Sequence, residues 1–556
     1  MSGAPSVTIA GGGLAGMTAA LRLAERGCEV RLYEQKSMLG GNLASRTLLT
    51  GPMQDVYPHM YLGWYGNFWR MMRDVGVDRD AAFAPFTSVQ QLSRKPFAKF
   101  TKLINGYLPE HLVENLLSGW AAPEDMIVFG YAAVDLLAEH ANPTLDLRNL
   151  SLNGFLDTRM YMTEGAVEAF ETFVTRVWAI PTYLVSAKDF RTYLEYCYGE
   201  ADPIFWITRG PAADVVIGPL QAALKRHGVR IECGVEVTGM TRKAHHVSAI
   251  TLRRTKFNPR TYQWTATGEA WQEPVDEFVS AVPAKTLAEL VRRGTRGQRI
   301  VEAERKLAEL SRLSTERVPI MHLCFKRRID GIPPEPVGLL DSRLNLAFTD
   351  VSQSWKGVPE FANRTVLALS CSETDALAGA VPTENAHEML TELADYLDFA
   401  PGAEWGRSPE IDWRCTRYDE NYDAELALNA VGTGEWRPHA SSPAIPNLTF
   451  AGDFCHGHIG LTTIESAVAS GLAAAVAIAE RRGLDGEIEL LRPHRRPKAL
   501  YPLLRYALAP YVAGAKVLSM GSERLRPVTP DPDAEESLVQ YLLTPGLPPR
   551  HQRFDS

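Results

Sequence analysis

The chain has 556 residues, 45% hydrophobic and 22% charged, and a formal net charge of -8. That length exceeds a single simple core and implies about two to four domains of ordinary globular composition. The acidic balance argues against nucleic acid as the main partner, because a phosphate-tracking surface is basic. Seven scattered cysteines without a C-x-x-C pair point to a reducing compartment and away from a disulfide framework. The first strand begins at Val7, which leaves no room for a signal or transit segment. No uncharged apolar run reaches bilayer-spanning length, so the expected location is the cytoplasm.

In chain order, Val7-Thr8-Ile9-Ala10 reads as a short buried strand, and Ala15 to Arg26 as a helix with Ala15, Ala19 and Leu23 on its apolar face. Gly27 ends that helix, and Glu29 to Glu34 is the second strand. Residues 60–175 read as mostly helical, with aromatic-rich faces and few strands. A helix from Val215 to His227 leads to the strand Val229 to Cys233 and a short extended run ending near Val237. Asp276 to Val282 is an apolar strand stopped by Pro283, with a helix from Lys285. Met321 to Phe325 and Val366 to Leu369 are strand-like. Residues 447–482 read strand, loop, small-residue helix. The Pro- and Arg-rich remainder carries one apolar, aromatic stretch at 499–520, with Arg505 and Lys516 as its cations. That stretch either packs on the body or lies in a lipid headgroup region, where its two cations would favour anionic lipid.

Gly11-Gly12-Gly13-Leu14-Ala15-Gly16 is a G-x-G-x-x-G between strand and helix. Gly11 permits the tight turn, Gly13 lets backbone N–H groups approach a pyrophosphate, and Gly16 seats the helix close to the strand. The helix N-terminus, with Leu14 and Ala15, presents its dipole to the anion. Glu34 then ends the second strand, placed for ribose hydroxyls, with Gln35 beside it. A second glycine turn follows at Gly40-Gly41-Asn42. Far downstream, Leu448 to Asp453 is a strand ending in Gly452-Asp453, followed by a helix from Thr463-Ile464 to Arg482. Asp453 suits ribityl hydroxyls, and the small residues of that helix would let its backbone approach a flat ring. Thr462-Thr463-Ile464-Glu465 has the spacing of a capping box, in which Glu465 caps the start of its own helix.

With these residues in place, the chain resembles the flavin amine oxidase / phytoene desaturase superfamily over three blocks: 7–46, 229–240 with 276–290, and 447–482. The resemblance implies an α/β fold: a Rossmann-type FAD-binding domain with an inserted α+β substrate domain, amine oxidase-like and discontinuous. Its FAD-binding domain would comprise 1–90, 205–300 and 440–485, and the substrate domain with a helical cap 91–204 and 301–439. Residues 486–556 would form a C-terminal extension with a membrane-surface segment. It also implies non-covalent FAD held by Gly11, Gly13, Leu14, Ala15, Gly16, Glu34, Gln35, Gly40, Gly41, Asn42, Val237, Gly452, Asp453, Thr463 and Ile464. Val237 falls at the adenine. Asn42 stands where the family usually has a cation, with Arg46 as a substitute. No metal is expected: Cys455-His456-Gly457-His458 puts its three donors in one turn without a partner pair, and Cys455 lies too close to the closing motif for covalent flavin attachment.

Thr463 occupies the place where amine oxidases put a cage tyrosine. The stretch His59-Met60-Tyr61-Leu62-Gly63-Trp64-Tyr65-Gly66-Asn67-Phe68 looks like the plant- and cyanobacterial-type phytoene and ζ-carotene desaturases, and squalene-associated flavoproteins share it. Tyr57 replaces the usual glycine there. The resemblance implies a desaturase, or a flavin-dependent isomerase, acting on an apolar, isoprenoid-type substrate by hydride transfer to flavin N5. Oxygen or a quinone would be the electron acceptor. His59 is the candidate proton-handling group, against a purely structural histidine. The alternatives are an amine or amino-acid oxidase and a non-catalytic flavin-binding protein. A membrane-bound substrate would put the protein peripherally on the inner face of the membrane.

Overall fold

The computed structural model describes residues 4–47, 52–104, 109–178, 180–199, 203–259 and 263–523. Its N-terminal strand Ser6–Ala10 lies at the centre of a five-stranded parallel sheet. Glu29–Glu34 and Arg230–Cys233 flank it on one side, and Glu277–Ser280 and Leu448–Phe450 on the other. Numbered along the chain the spatial order is 3-2-1-4-5, that of a doubly wound dinucleotide-binding sheet, with its switch point beside the first strand. Three segments far apart in sequence therefore build one sheet.

The helix Leu14–Ala24 is buried on nearly all sides. One of those sides is taken by the helix Ile464–Arg482, which packs on it closely enough to demand glycine. A Cβ on Gly471 would stand 2.4 Å from the Ala15 carbonyl oxygen, and one on Gly16 would stand 2.0 Å from that of Gly11. The small-residue face of the closing helix thus meets another helix, rather than the flat ring expected from sequence. Its N-terminal residues Thr463, Ile464 and Ala467 are the ones that reach the central cavity.

The second sheet has seven strands in the order Arg417–Asp419, Ile320–Cys324, Val366–Cys371, Leu346–Asp350, Val337–Leu339, Ser88–Leu92 and Phe100–Ile104. The last two correct the reading of 60–175 as mostly helical, and the domain boundary expected at residue 90 cuts one of them. Ser88-Val89-Gln90-Gln91-Leu92 looks polar, yet all five residues are buried, and Gln91 donates to the Trp120 carbonyl at 2.8 Å. Side-chain hydrogen bonding hides the strand from a hydropathy reading. The extended run expected to end near Val237 continues to Lys243 and opens a three-stranded antiparallel ribbon with His246–Asn258 and Gln263–Pro274.

The helices Pro123–Ala141, Glu164–Trp178 and Ala187–Cys197 form a layer beyond this sheet. Against the first of them lies the long helix Leu500–Glu523, with its polarity reversed. Arg505 turns inward to Asp135 at 2.9 Å, Ser519 donates to Asp125 at 2.9 Å, and Lys516 donates to the Met162 carbonyl at 2.8 Å. Both cations, which would face lipid on the membrane reading, therefore serve the docking contact: Arg505 joins Arg159 and Tyr161 on the buried Asp135 carboxylate, and Lys516 holds the Met162 carbonyl. Leu503, Tyr506, Tyr511, Val517, Leu518 and Met520 face outward, each at least half exposed. Among the described residues, no helix is long and apolar enough to cross a membrane.

Gly471→Val should lower the denaturant midpoint without changing its slope, a loss of about 1–3 kcal/mol or more from overpacking against backbone that cannot yield. A wild-type midpoint would refute the close helix contact.

Candidate flavin site

A cavity of about 470 Å³ runs from the glycine turns to one face of the seven-stranded sheet. Every cofactor position expected from sequence lines it except Gly16, which sits behind, under the helix. The two glycine turns are bonded to each other: Gly40 N–H donates to the Gly12 carbonyl at 2.9 Å, and Gly13 and Gly40 form a parallel bridge. Gly11 has φ +105°, open to glycine at little cost, and Gly41 has φ +57°. Gly13 has an extended backbone, and the nearest protein atom to a Cβ there is 3.9 Å away. Backbone needs glycine at Gly11; open space for a ligand needs it at Gly13.

Glu34 is fixed by its own chain. The Gly12 N–H donates to one carboxylate oxygen at 2.7 Å and the Lys36 N–H to the other at 2.9 Å. Burial raises its pKa and these two donors oppose the rise. Both oxygens keep a second lone pair for hydroxyl donors. Val237, from the first strand of the ribbon, and Asp453, raised to about 6 by burial, complete the expected set. The paired turns, the capped acid and the open space at Gly13 fit a dinucleotide.

Sequence reasoning missed a segment that fastens the cleft from the other side. Lys36 donates to the Asp423 carbonyl at 2.7 Å, Asn42 to the Glu425 carbonyl at 3.0 Å, and Tyr57 to that of Ala424. Lys285 pairs with the Glu425 carboxylate at 3.2 Å. Arg46, expected to replace the family's cation at Asn42, is instead held by Asp419 and Asp423 and does not line the main cavity. Two carboxylates within reach are a stronger claim on its guanidinium than a site in the next turn.

Glu465 corrects the capping-box reading. Its helix is capped by Thr463, which accepts from Ser466 N–H at 3.2 Å. The Glu465 carboxylate points away, to the start of the helix Gly66–Asp74. It accepts from Asn67 N–H at 2.9 Å, Asn67 Nδ2 at 2.6 Å and Phe68 N–H at 2.9 Å. It is a cap, but for a helix 398 residues away in sequence.

His59 lines the cavity. Its Nδ1 lies 2.8 Å from the Tyr57 carbonyl, which can only accept, so Nδ1 carries the proton and Nε2 presents a lone pair. Burial lowers its pKa to about 4 and keeps it neutral. In the His456–His458 stretch, His456 packs on His439 with ring centroids 4.5 Å apart, and His458 donates to the Leu491 carbonyl at 2.9 Å. Among the further polar residues that line the main cavity unmarked by any motif are Asp55 and His322. Asp55 ends the strand Met53–Asp55, four residues before His59. An acid amid apolar residues so close to that histidine was the available signal. The wall is periodic and mixed in polarity: Ile320 and His322, Ala347 and Thr349, and Ala368 and Ser370 alternate along three neighbouring strands, so one sheet face lines the cavity.

A family model described as flavin containing amine oxidoreductase matches residues 14–479. A carotenoid phi-ring synthase of Streptomyces griseus is 26% identical over 508 residues, 87% of this chain and 89% of that protein. A zeta-carotene desaturase of Arabidopsis thaliana is 35% identical over 189 residues, 33% of each chain. The chain spans a third or less of the plant zeta-carotene desaturases it matches, from 13% to 33% of their length. Among solved structures, a putrescine oxidase bound to putrescine matches with a TM-score of 0.58 at 16% identity, over 86% of this chain and 99% of that one. At that identity the likeness concerns the fold.

Gly13→Val should keep the melting temperature of the apoprotein and lose flavin retention, because its methyl groups enter the open cradle. Glu34→Ala should weaken retention less, by about tenfold, the loss of hydrogen bonds from a site otherwise intact. Flavin content after gel filtration, read by absorbance, checks both; full retention by Gly13→Val would refute the phosphate assignment.

Proposed function

This chain belongs to the flavin containing amine oxidoreductase family, and on that premise we propose that it is an FAD-dependent desaturase of a carotenoid-type isoprenoid hydrocarbon. The observation that carries the reading is the cavity beyond the dinucleotide cleft, whose apolar lining includes Trp178, Tyr193, Ile207, Ile320, Val351 and Trp355. Such a wall suits a hydrocarbon, which needs shape and exclusion of water more than polar anchors. The relatives named for carotenoids, one of them matching over most of its length, support the same substrate class. Thr463 where amine oxidases place an aromatic wall weighs against an amine.

The turns Gly11–Gly13 and Gly40–Asn42 would hold the pyrophosphate, Glu34 the ribose, Val237 the adenine and Asp453 the ribityl chain. When bound, the flavin supplies a two-electron acceptor for hydride. The protein's part is to orient the C–H bond, keep the site dry and handle the proton. Non-covalent attachment is supported by Cys455, which is buried outside the cavity and whose thiol pKa burial raises well above the usual range. Anaerobic mixing with ζ-carotene in phosphatidylcholine vesicles should bleach the flavin, whereas putrescine should leave it oxidised. Bleaching by the amine alone would reverse the assignment.

A hydrocarbon of this size resides in lipid, and the helix Leu500–Glu523 offers a surface to reach it. From Leu503 to Gly521 every exposed position is uncharged, and the two cations turn inward. This is the reverse of a helix that merely covers a core. Its occupant would be a bilayer surface, engaged through Leu503, Tyr506, Tyr511, Val517 and Leu518. The protein should float with neutral phosphatidylcholine vesicles and remain bound at high salt. Changing Leu503, Tyr506 and Leu518 together to Ser should reduce partitioning by orders of magnitude, at about 1.5–3 kcal/mol per inserted side chain, with no fall in melting temperature. Undiminished flotation of that variant would rule this surface out.

A further inference from the structure

Proton handling at the cavity has one group placed for it beyond His59. Asp55 is 9% exposed, and its Oδ1 accepts from Ser45 Oγ at 2.6 Å and from Ala212 N–H at 2.9 Å. Its Oδ2 takes no hydrogen bond among the described residues. Beside it His322 is 4% exposed and holds its Nε2 2.9 Å from the Asp55 carbonyl, which fixes the proton on that nitrogen. The Nδ1 lone pair of His322 is buried without a partner, as is the hydroxyl of Tyr61 on the strand that follows.

The charges around Asp55 leave it without a counter-ion. Asp214, from the helical turn Ala213–Ile217, repels its charged form. Arg46, Arg417 and Asp419 line a small neighbouring cavity that Asp55 and His322 also touch, and there both arginines pair with Asp419. His322 is kept neutral by burial, which lowers it to about 4. Burial above all, opposed by Ser45 and Ala212, pushes the Asp55 carboxyl up to about 7. A half-satisfied carboxyl on the cavity wall, without a counter-ion and at that value, is matched to proton transfer near neutral pH.

We infer that Asp55 is the catalytic proton acceptor of the C–H oxidation, a role that rests on the desaturase reading above. One C–H bond breaks with both electrons leaving as hydride to the oxidised flavin. The neighbouring C–H bond breaks with its electron pair forming the new C=C bond, and its proton passes to Asp55. A quinone or oxygen would then take from the reduced flavin the two electrons and the hydride's proton, with its second proton from water, and Asp55 returns its own proton to water. His322 is a positioning residue, holding the backbone of Asp55 through Nε2.

The rival role is a plain cap for the turn at Ala212, and Asp55→Asn separates the two because its Oδ1 can accept the same two hydrogen bonds. The FAD-loaded wild type should show a carboxylic acid C=O infrared band that titrates between about pH 5 and about pH 9 with a midpoint near neutrality, absent in Asp55→Asn. Flavin bleaching by ζ-carotene in phosphatidylcholine vesicles should rise with pH through that midpoint. In Asp55→Asn it should be at least ~10²-fold slower, with flavin content and melting temperature unchanged. Asp55→Glu should restore part of the rate at a shifted midpoint, and it carries the test if the asparagine variant loses flavin. A wild-type rate in Asp55→Asn, an unrestored rate in a flavin-loaded Asp55→Glu, or a band already lost below about pH 5, overturns the role. A wild-type flavin left oxidised by ζ-carotene at every pH instead overturns the desaturase reading and takes this role with it.

Discussion

The buried carboxylate of Glu465 holds the site together. It sits on the closing helix and is fully occupied by the first turn of the helix Gly66–Asp74. Hydrogen bonds to a charged group contribute about 1.5–3 kcal/mol each. Losing the acceptor would also leave two backbone N–H groups buried and unpaired. The Asn67 side chain continues the tie, exchanging hydrogen bonds of 2.8 Å with both the N–H and the carbonyl of Leu491. This anchor therefore fixes the far end of the stretch from Asp55 to Tyr65, which carries His59 and part of the cavity wall and is also tied through Asp55, Tyr57 and Gly63. Burial pushes Glu465 up to about 7, so the anchor strains against its own desolvation.

The same economy appears elsewhere. Polar groups inside this protein are placed to fix segments distant in sequence: Asp135 receives Arg505, Asp125 receives Ser519, and Gln91 donates to Trp120. Each removes a freedom that packing of small apolar side chains would leave. The cavity wall leaves two such groups open: among the described residues Asp55 and His322 keep one polar atom each without a protein partner there.

The dinucleotide half of the fold was legible because its signals are local. Gly11 to Gly16, Glu34 and Gly40-Gly41 lie within one strand–helix–strand unit, and backbone sterics dictate their types. Leu448 to Asp453 was legible for the same reason. The substrate half was not. Ser88–Leu92 hides a buried strand behind two glutamines, and Arg505 and Lys516 read as surface charges until Asp135 and the Met162 carbonyl appear beside them. Glu465 showed its spacing to Thr462 but could not show Asn67. Asp55 belongs to no motif: beyond its nearness to His59, its character comes from burial and from the strand that carries His322, neither of which is written near it in the chain.

The segment through Asp423–Glu425 bears on time as well as affinity. It is tied to Lys36, Asn42 and Tyr57 on one side of the cleft and to Lys285 on the other. These ties run from protein to protein, so an empty and a filled cleft can make them alike. Contacts common to both states cancel from the equilibrium and remain in the barrier between them. The fastening would therefore slow entry and escape of a flavin together, lengthening its residence without making its site any tighter.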